Sequence, residues 1–175
     1  NPVVLERISP FINEILKEKF DNILSIYIIG SSVTSDFNEK SSDTNSVFVL
    51  KGMDFNFIKF VAPLGKKYKK KGMRIGTGEF TDSLALDNIT QYSTALTDFF
   101  SKNSEIIFEF KTKSSNISNL LNSKHKGNIV ISWSLNPPDI IGENEFYTAP
   151  LPERLSSAAA CVKAGYKVGF HFDPM

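Results

Sequence analysis

Glycine and small polar residues crowd the stretch RIGTGEFTDSLALD (Arg74 to Asp87), where the chain is best equipped for chemistry. Gly76 and Gly78 let a ligand approach the backbone closely, and Glu79, Thr81, Asp82 and Ser83 offer hydrogen-bonding groups around it. The same residues also fit a glycine-containing turn that leads into an N-capped helix. Of the two histidines, His125 lies in the polar connection SKHKGN, whereas His171 alternates with Phe170 and Phe172 and is followed by Asp173. Pointing inward at the end of a strand, His171 and Asp173 would set a proton carrier and a carboxylate beside a ligand; a hydrogen-bonded histidine lining a barrel fits equally. Cys161 is the only cysteine. It excludes an internal disulfide, a cysteine-based zinc site and a three-cysteine cluster within this chain, so no metal ligands are assigned. Lys66, Lys67, Lys69, Lys70 and Lys71 suit either phosphate contacts or a solvated junction.

These residues need elements to hold them. With 175 residues, 41% of them hydrophobic and 22% charged, the chain can bury a core in one domain or two small ones. A net charge of +1 gives the whole molecule no general attraction to nucleic acid or anionic membranes. No run of about 18 apolar residues occurs, and the N-terminus lacks a signal-peptide layout, so no membrane partner and a cytoplasmic location are expected. The chain begins at Asn1 rather than Met, which reads as a fragment. A lysine-rich stretch, KKYKKKG, marks a boundary near residue 72. Before it, apolar spacing predicts a helix over 11–20, strands over 24–29 and 46–50, and a helical stretch over 54–71 that Pro63 would break or kink.

After the boundary the rhythm is strand, helix, strand, helix, which argues for a parallel sheet covered by helices. MRIG, EIIFEFK, NIVISWS and YKVGFHF read as four strands. Core-facing helix stripes are predicted at Leu86, Ile89, Leu96, Phe99 and Phe100, and at Leu151, Leu155, Ala158, Ala159 and Val162. Pro152 suits a first turn and Gly165 a left-handed C-terminal cap. Trp133, alternating with Ser132 and Ser134, should face the helices. The fold class is therefore α/β, with four βα units forming part of a TIM-type parallel barrel or an open sheet.

Taken in order, GTGEFTDSLALD, FEFKTKSSNISNLL, HKGNIVISWSLNPPDII, TAPLPERLSSAAACVKAGY and VGFHFDP resemble consecutive blocks of the spore photoproduct lyase-like radical S-adenosylmethionine family over residues 73–175. The resemblance implies a partial barrel in which the second-strand glycine/glutamate loop, Gly78 and Glu79, and later strand ends hold S-adenosylmethionine. Thr81 and Asp82 would face its amino group and ribose, while Lys113 and Ser134 would hold its carboxylate. It further implies a lyase of DNA repair, with DNA as partner and a 4Fe-4S cluster. Two departures stand against it. The family's three clustered cysteines are absent, and the best-known lyases have a cysteine where this chain has Glu79.

Residues 1–72 carry a second resemblance. YIIGSSVTSDFNEKSSDTNSVFVL is similar to the strand, Gly-Ser and spaced acidic pair of nucleotidyltransferases of the DNA polymerase beta-like kind. There Gly30 and Ser31 would admit nucleotide phosphates to a helix N-terminus, and Asp43 with Asn45 would hold Mg²⁺. Asn45 replaces a carboxylate, which weakens two-metal chemistry. Three functions follow: a radical S-adenosylmethionine enzyme fragment, inactive alone for want of cluster cysteines; a nucleotide-binding module; or a non-catalytic chimera of two incomplete domains, 1–72 and 73–175.

Overall fold

The computed structural model describes residues 1–18, 20–40, 42, 44–52, 54–68, 74–79, 81–104 and 106–172. It divides into two compact units, Asn1–Lys71 and Gly72–Met175.

In the first unit the Asn1 side chain accepts the Val3 N–H at 3.0 Å and caps helix α1, Pro2–Lys17, with Pro2 in the first turn. The helix therefore starts earlier than the predicted 11–20, because a capping asparagine and a first-turn proline extend the apolar repeat upstream. Val4, Ile8 and Ile15 form its buried stripe. Strands β1 (Ile23–Ile29) and β2 (Asn45–Leu50) pair antiparallel, and a 3₁₀ turn, Gly30–Val33, follows β1. Helix α2, Phe55–Tyr68, carries Pro63 without breaking. Phe11, Phe20, Phe48 and Phe57 knit these elements together through edge-to-face and tilted ring contacts at 5.3–6.4 Å.

The second unit is a four-stranded parallel sheet in sequence order: β3 (Arg74–Thr77), β4 (Ile107–Thr112), β5 (Ile129–Ser134) and β6 (Lys167–His171). Between them lie α3 (Asp87–Thr90), α4 (Tyr92–Lys102), α5 (Ser118–Leu121), α6 (Pro138–Asn144) and α7 (Leu151–Lys163). Register pairs Phe108 with Ile129, Phe110 with Ile131 and Thr112 with Trp133, so these side chains share one face. That face is apolar and packs under α4 and α7; Phe100 of α4 stacks on Phe108 with centroids 4.0 Å apart. Trp133 is wholly buried there, with its Nε1–H donated to the Ser114 carbonyl at 2.9 Å. The opposite face holds Glu109, Ser132, Ser134 and His171 instead, so alternation gives the sheet one greasy and one polar surface.

Two helix stripes lie elsewhere than predicted. Leu86 and Ile89 are 64% and 75% exposed, because α3 is one short turn that a left-handed Gln91 separates from α4; Leu96 and Phe100 alone reach the core. On α7 the buried residues are Arg154, Ser157, Ala158 and Cys161, while Leu155 and Val162 face outward and Ala159 is exposed. The helix is turned so that a charged side chain, rather than a leucine, points in. Gly165 has φ +89 and caps α7 as expected. Among the described residues no helix is long and apolar enough to cross a membrane.

Candidate functional site

The loop after β3 is fixed before any ligand arrives. Gly78 sits at φ +88, and a Cβ there would stand 2.3 Å from the Lys111 carbonyl oxygen and 2.6 Å from Ser83 Oγ. Only glycine fits so close to the neighbouring strand. The Ser83 N–H donates to that same Lys111 carbonyl at 3.1 Å. Asp82 then clamps the loop: Oδ1 accepts the Leu84 and Ala85 N–H groups at 2.8 and 2.9 Å and the Thr112 hydroxyl at 2.7 Å, and Oδ2 accepts the Lys113 N–H at 2.6 Å. Four donors on one carboxylate make it a joint between the β3 loop and the end of β4.

This joint shapes one wall of a pocket of about 360 Å³ at the carboxyl edge of β3, β4 and β5. Gly78, Glu79, Thr81, Asp82, Lys113 and Ser134, the six cofactor-site residues singled out in the sequence, all line it, together with Lys111, Thr112 and Thr148. Ser134 is 2% exposed, and its hydroxyl has no partner among the described residues. Glu79 is exposed at the rim.

Sequence reasoning missed the charges behind the pocket. Lys113 Nζ contacts Glu145 Oε1 at 2.8 Å, Asn136 Nδ2 donates to the same oxygen at 2.7 Å, and Arg154 Nη2 reaches Oε2 at 2.5 Å. Arg154 is fully buried and also donates to the carbonyls of Ala149 at 2.6 Å and Ser134 at 2.8 Å and to Thr148 Oγ1 at 2.9 Å. Burial pushes the Glu145 carboxyl up, but hydrogen bonds from Lys113, Arg154 and Asn136 outweigh it and hold the group at about 2. Glu145 sits after a short helix in a loop, and Arg154 sits where an exposed helix residue is expected, so no local pattern marks either.

A second cluster occupies the polar sheet face. Glu109 is 5% exposed; it pairs with Arg74, accepts from Ser132 and meets His171 Nε2 at 3.2 Å. His171 is thus hydrogen-bonded on the polar face, and Asp173 lies outside the described residues. His125 instead stacks on Tyr166 at 3.8 Å and caps the end of α7 through the Ala164 carbonyl. Cys161 is wholly buried, and burial pushes its thiol up to about 11. Among the described residues no three His, Cys, Asp or Glu side chains gather as metal ligands.

In the first unit, Gly30 has φ +75, and a Cβ there would lie 3.4 Å from Asn45 Nδ2, so Gly30 and Asn45 meet at one end of the two-stranded sheet. The element that starts at Gly30 is a four-residue 3₁₀ turn rather than the helix expected to receive phosphates. Asp43 lies outside the described residues. Lys67 is paired with Glu14 at 2.8 Å, which competes with any phosphate contact; Lys69, Lys70 and Lys71 also lie outside the described residues.

A family model for spore photoproduct lyase matches residues 66–175. The spore photoproduct lyase of Clostridium acetobutylicum is 37% identical over 90 residues, covering 50% of this chain and 27% of the relative. That of Bacillus subtilis (strain 168) is 30% identical over 95 residues, covering 54% and 28%. The chain spans little more than a quarter of the length of the curated relatives it matches. Among solved structures, spore photoproduct lyase complexed with dinucleoside spore photoproduct gives a TM-score of 0.60 at 24% identity, over 68% of this chain and 35% of that one. A double mutant of the lyase with bound AdoMet and dinucleoside spore photoproduct gives 0.56 at 24% identity, over 65% and 34%.

Proposed function

Because the chain belongs to the spore photoproduct lyase family, we propose that the pocket at the carboxyl edge of β3–β5 binds S-adenosylmethionine as part of a radical lyase barrel of the DNA-lesion repair lineage. The observation that carries this reading is convergence: six residues drawn from three separate strand ends line one pocket. Its volume of about 360 Å³ lies in the range of small-ligand sites. Gly78 lets the loop press against β4 and so form the pocket wall, the Lys113 ammonium and the Ser134 hydroxyl suit a carboxylate, and Thr81 adds a hydroxyl. Asp82 contributes by holding the loop. S-adenosylmethionine, when bound, supplies an electrophilic sulfonium; the residues here bind and orient it.

The iron–sulfur cluster does not fit this chain. Its one cysteine is buried in α7 with its thiol proton held tightly, so three thiolates must come from elsewhere and no step is routed through the cluster here. Alone, the chain is inactive in reductive cleavage on this reading, and reconstitution with iron and sulfide should give no four-iron absorbance. Titration calorimetry with S-adenosylmethionine tests the pocket: binding that weakens at least tenfold in Lys113→Ala is expected, and no binding at millimolar ligand would overturn the proposal. DNA carrying a photolesion is the partner that fits this lineage, the solved lyases having been captured with dinucleoside spore photoproduct.

A second reading concerns the first unit alone. The meeting of Gly30 and Asn45 favours a nucleotide-binding remnant of a nucleotidyltransferase. Mg²⁺-dependent nucleotide binding that weakens in Asp43→Ala would support it, and its absence at millimolar nucleotide would remove it.

A further inference from the structure

Behind the pocket, two cations share one anion. Lys113 and Arg154 each take one oxygen of Glu145, at 2.8 and 2.5 Å, and among the described residues no other acidic side chain joins them. Arg154 is wholly buried and Glu145 is 6% exposed at its side chain, so water screens their pairing weakly. Lys113, 34% exposed, is the member of the group that borders the pocket. The sum is one positive charge in excess, presented on the pocket side. Without Glu145 the ammonium would sit on a flexible four-carbon stem, free to leave for water; with it, the ammonium is held 2.8 Å from a carboxylate that Arg154 and Asn136 fix in turn.

We propose that Glu145 is a positioning residue that sets the pocket's preference for ligands bearing a carboxylate, by holding the Lys113 ammonium at the wall and leaving the charge group one anion short. This rests on the S-adenosylmethionine reading of the pocket. A ligand carboxylate is the missing anion: it meets the donors of Lys113 that Glu145 leaves unused, and the hydroxyl of Ser134, which lines the same pocket. Glu145→Asp keeps the charge but loses one methylene of reach. The buried Arg154 has no alternative counter-ion among the described residues and keeps the shortened carboxylate, so Lys113 is released.

The test uses two nucleoside ligands that differ in the amino-acid arm. S-adenosylhomocysteine carries the carboxylate; 5′-methylthioadenosine does not. In Glu145→Asp, calorimetry should show S-adenosylhomocysteine binding about tenfold weaker, in keeping with the loss of a charge-assisted hydrogen bond, and 5′-methylthioadenosine within twofold of wild type. In a Lys113→Met background the Glu145→Asp change should leave both affinities alone, because the effect runs through Lys113. If Glu145→Asp does not fold, Asn136→Ala, which removes a donor that fixes the Glu145 carboxylate and so loosens its hold on Lys113, should shift the affinity ratio in the same direction by about threefold. Equal losses for both ligands, or no change for either, would overturn the proposal and leave the pocket assignment standing. Wild-type protein that binds neither ligand would remove the pocket assignment and this inference with it.

Discussion

Gly30 after β1 and Gly78 after β3 both lie in the left-handed region, at φ +75 and +88, and each opens a small polar loop at a strand end. Their surroundings differ. A side chain at Gly78 would strike the Lys111 carbonyl at 2.3 Å, whereas one at Gly30 would meet, among the described residues, Asn45 Nδ2 alone at 3.4 Å. The turn at Gly78 is therefore pressed against a neighbouring strand and clamped by Asp82, and the turn at Gly30 has room around it among the described residues. A glycine turn of this kind builds a pocket wall when later strands arrive to press on it, and β2 alone gives the first unit too little to press with.

The largest test of that contrast removes what stands behind the clamped loop. Arg154→Met should destabilise the second unit by about 3–5 kcal/mol, because it leaves the buried Glu145 carboxylate without its buried cationic partner. Urea unfolding measures it, and a loss under about 1 kcal/mol would mean that the charge group is incidental to the fold. Gly78→Ala comes next, at about 3 kcal/mol for left-handed strain with a backbone clash, and should also abolish nucleoside binding.

A pH series is of middling size. Glu145 has a folded value near 2, below its ordinary 4.5, so its contribution is present above about pH 4.5 and is lost as pH falls through 2. The gap in urea midpoint between wild type and Glu145→Gln should therefore close over that window. A gap that stays constant would show that the group is not ionised in the fold.

Gly30→Ala should cost about 1 kcal/mol, in the first unit alone, with S-adenosylmethionine affinity of the second unit's pocket unchanged. The smallest change is Ser134→Ala. Its hydroxyl has no partner among the described residues, so stability should move by less than about 0.5 kcal/mol while S-adenosylmethionine binds about threefold more weakly. A stability loss larger than the affinity loss would make Ser134 a packing residue.

The strands and their parallel order were readable from short apolar runs between turn residues, and so were the turn at Gly78 and the cap at Gly165. These depend on local chemistry. The rotation of α7 was not readable, since a leucine-alanine stripe predicts Leu155 inward and the structure buries Arg154. A guanidinium is welcome inside only where Ala149, Ser134, Thr148 and Glu145 all offer acceptors, and those acceptors come from the turn before α7 and from the end of β5. The pocket residues were legible one strand end at a time. What joins them, the Thr112 and Lys113 donors on Asp82 and the Lys113–Glu145 pair, depends on contacts between residues some thirty positions apart.

The Glu109 cluster bears on how the sheet finds its alignment. The carboxylate draws partners from all three other strands: Arg74 on β3, Ser132 on β5 and His171 on β6. A two-residue slip of any one strand would keep its apolar side chains on the correct face, so hydrophobic patterning alone does not forbid it. It would, however, carry the partner about 6.6 Å along the strand, past hydrogen-bonding reach, and leave a buried anion short of donors. Glu109 thus works as a key that admits one alignment of four strands and rejects its near neighbours.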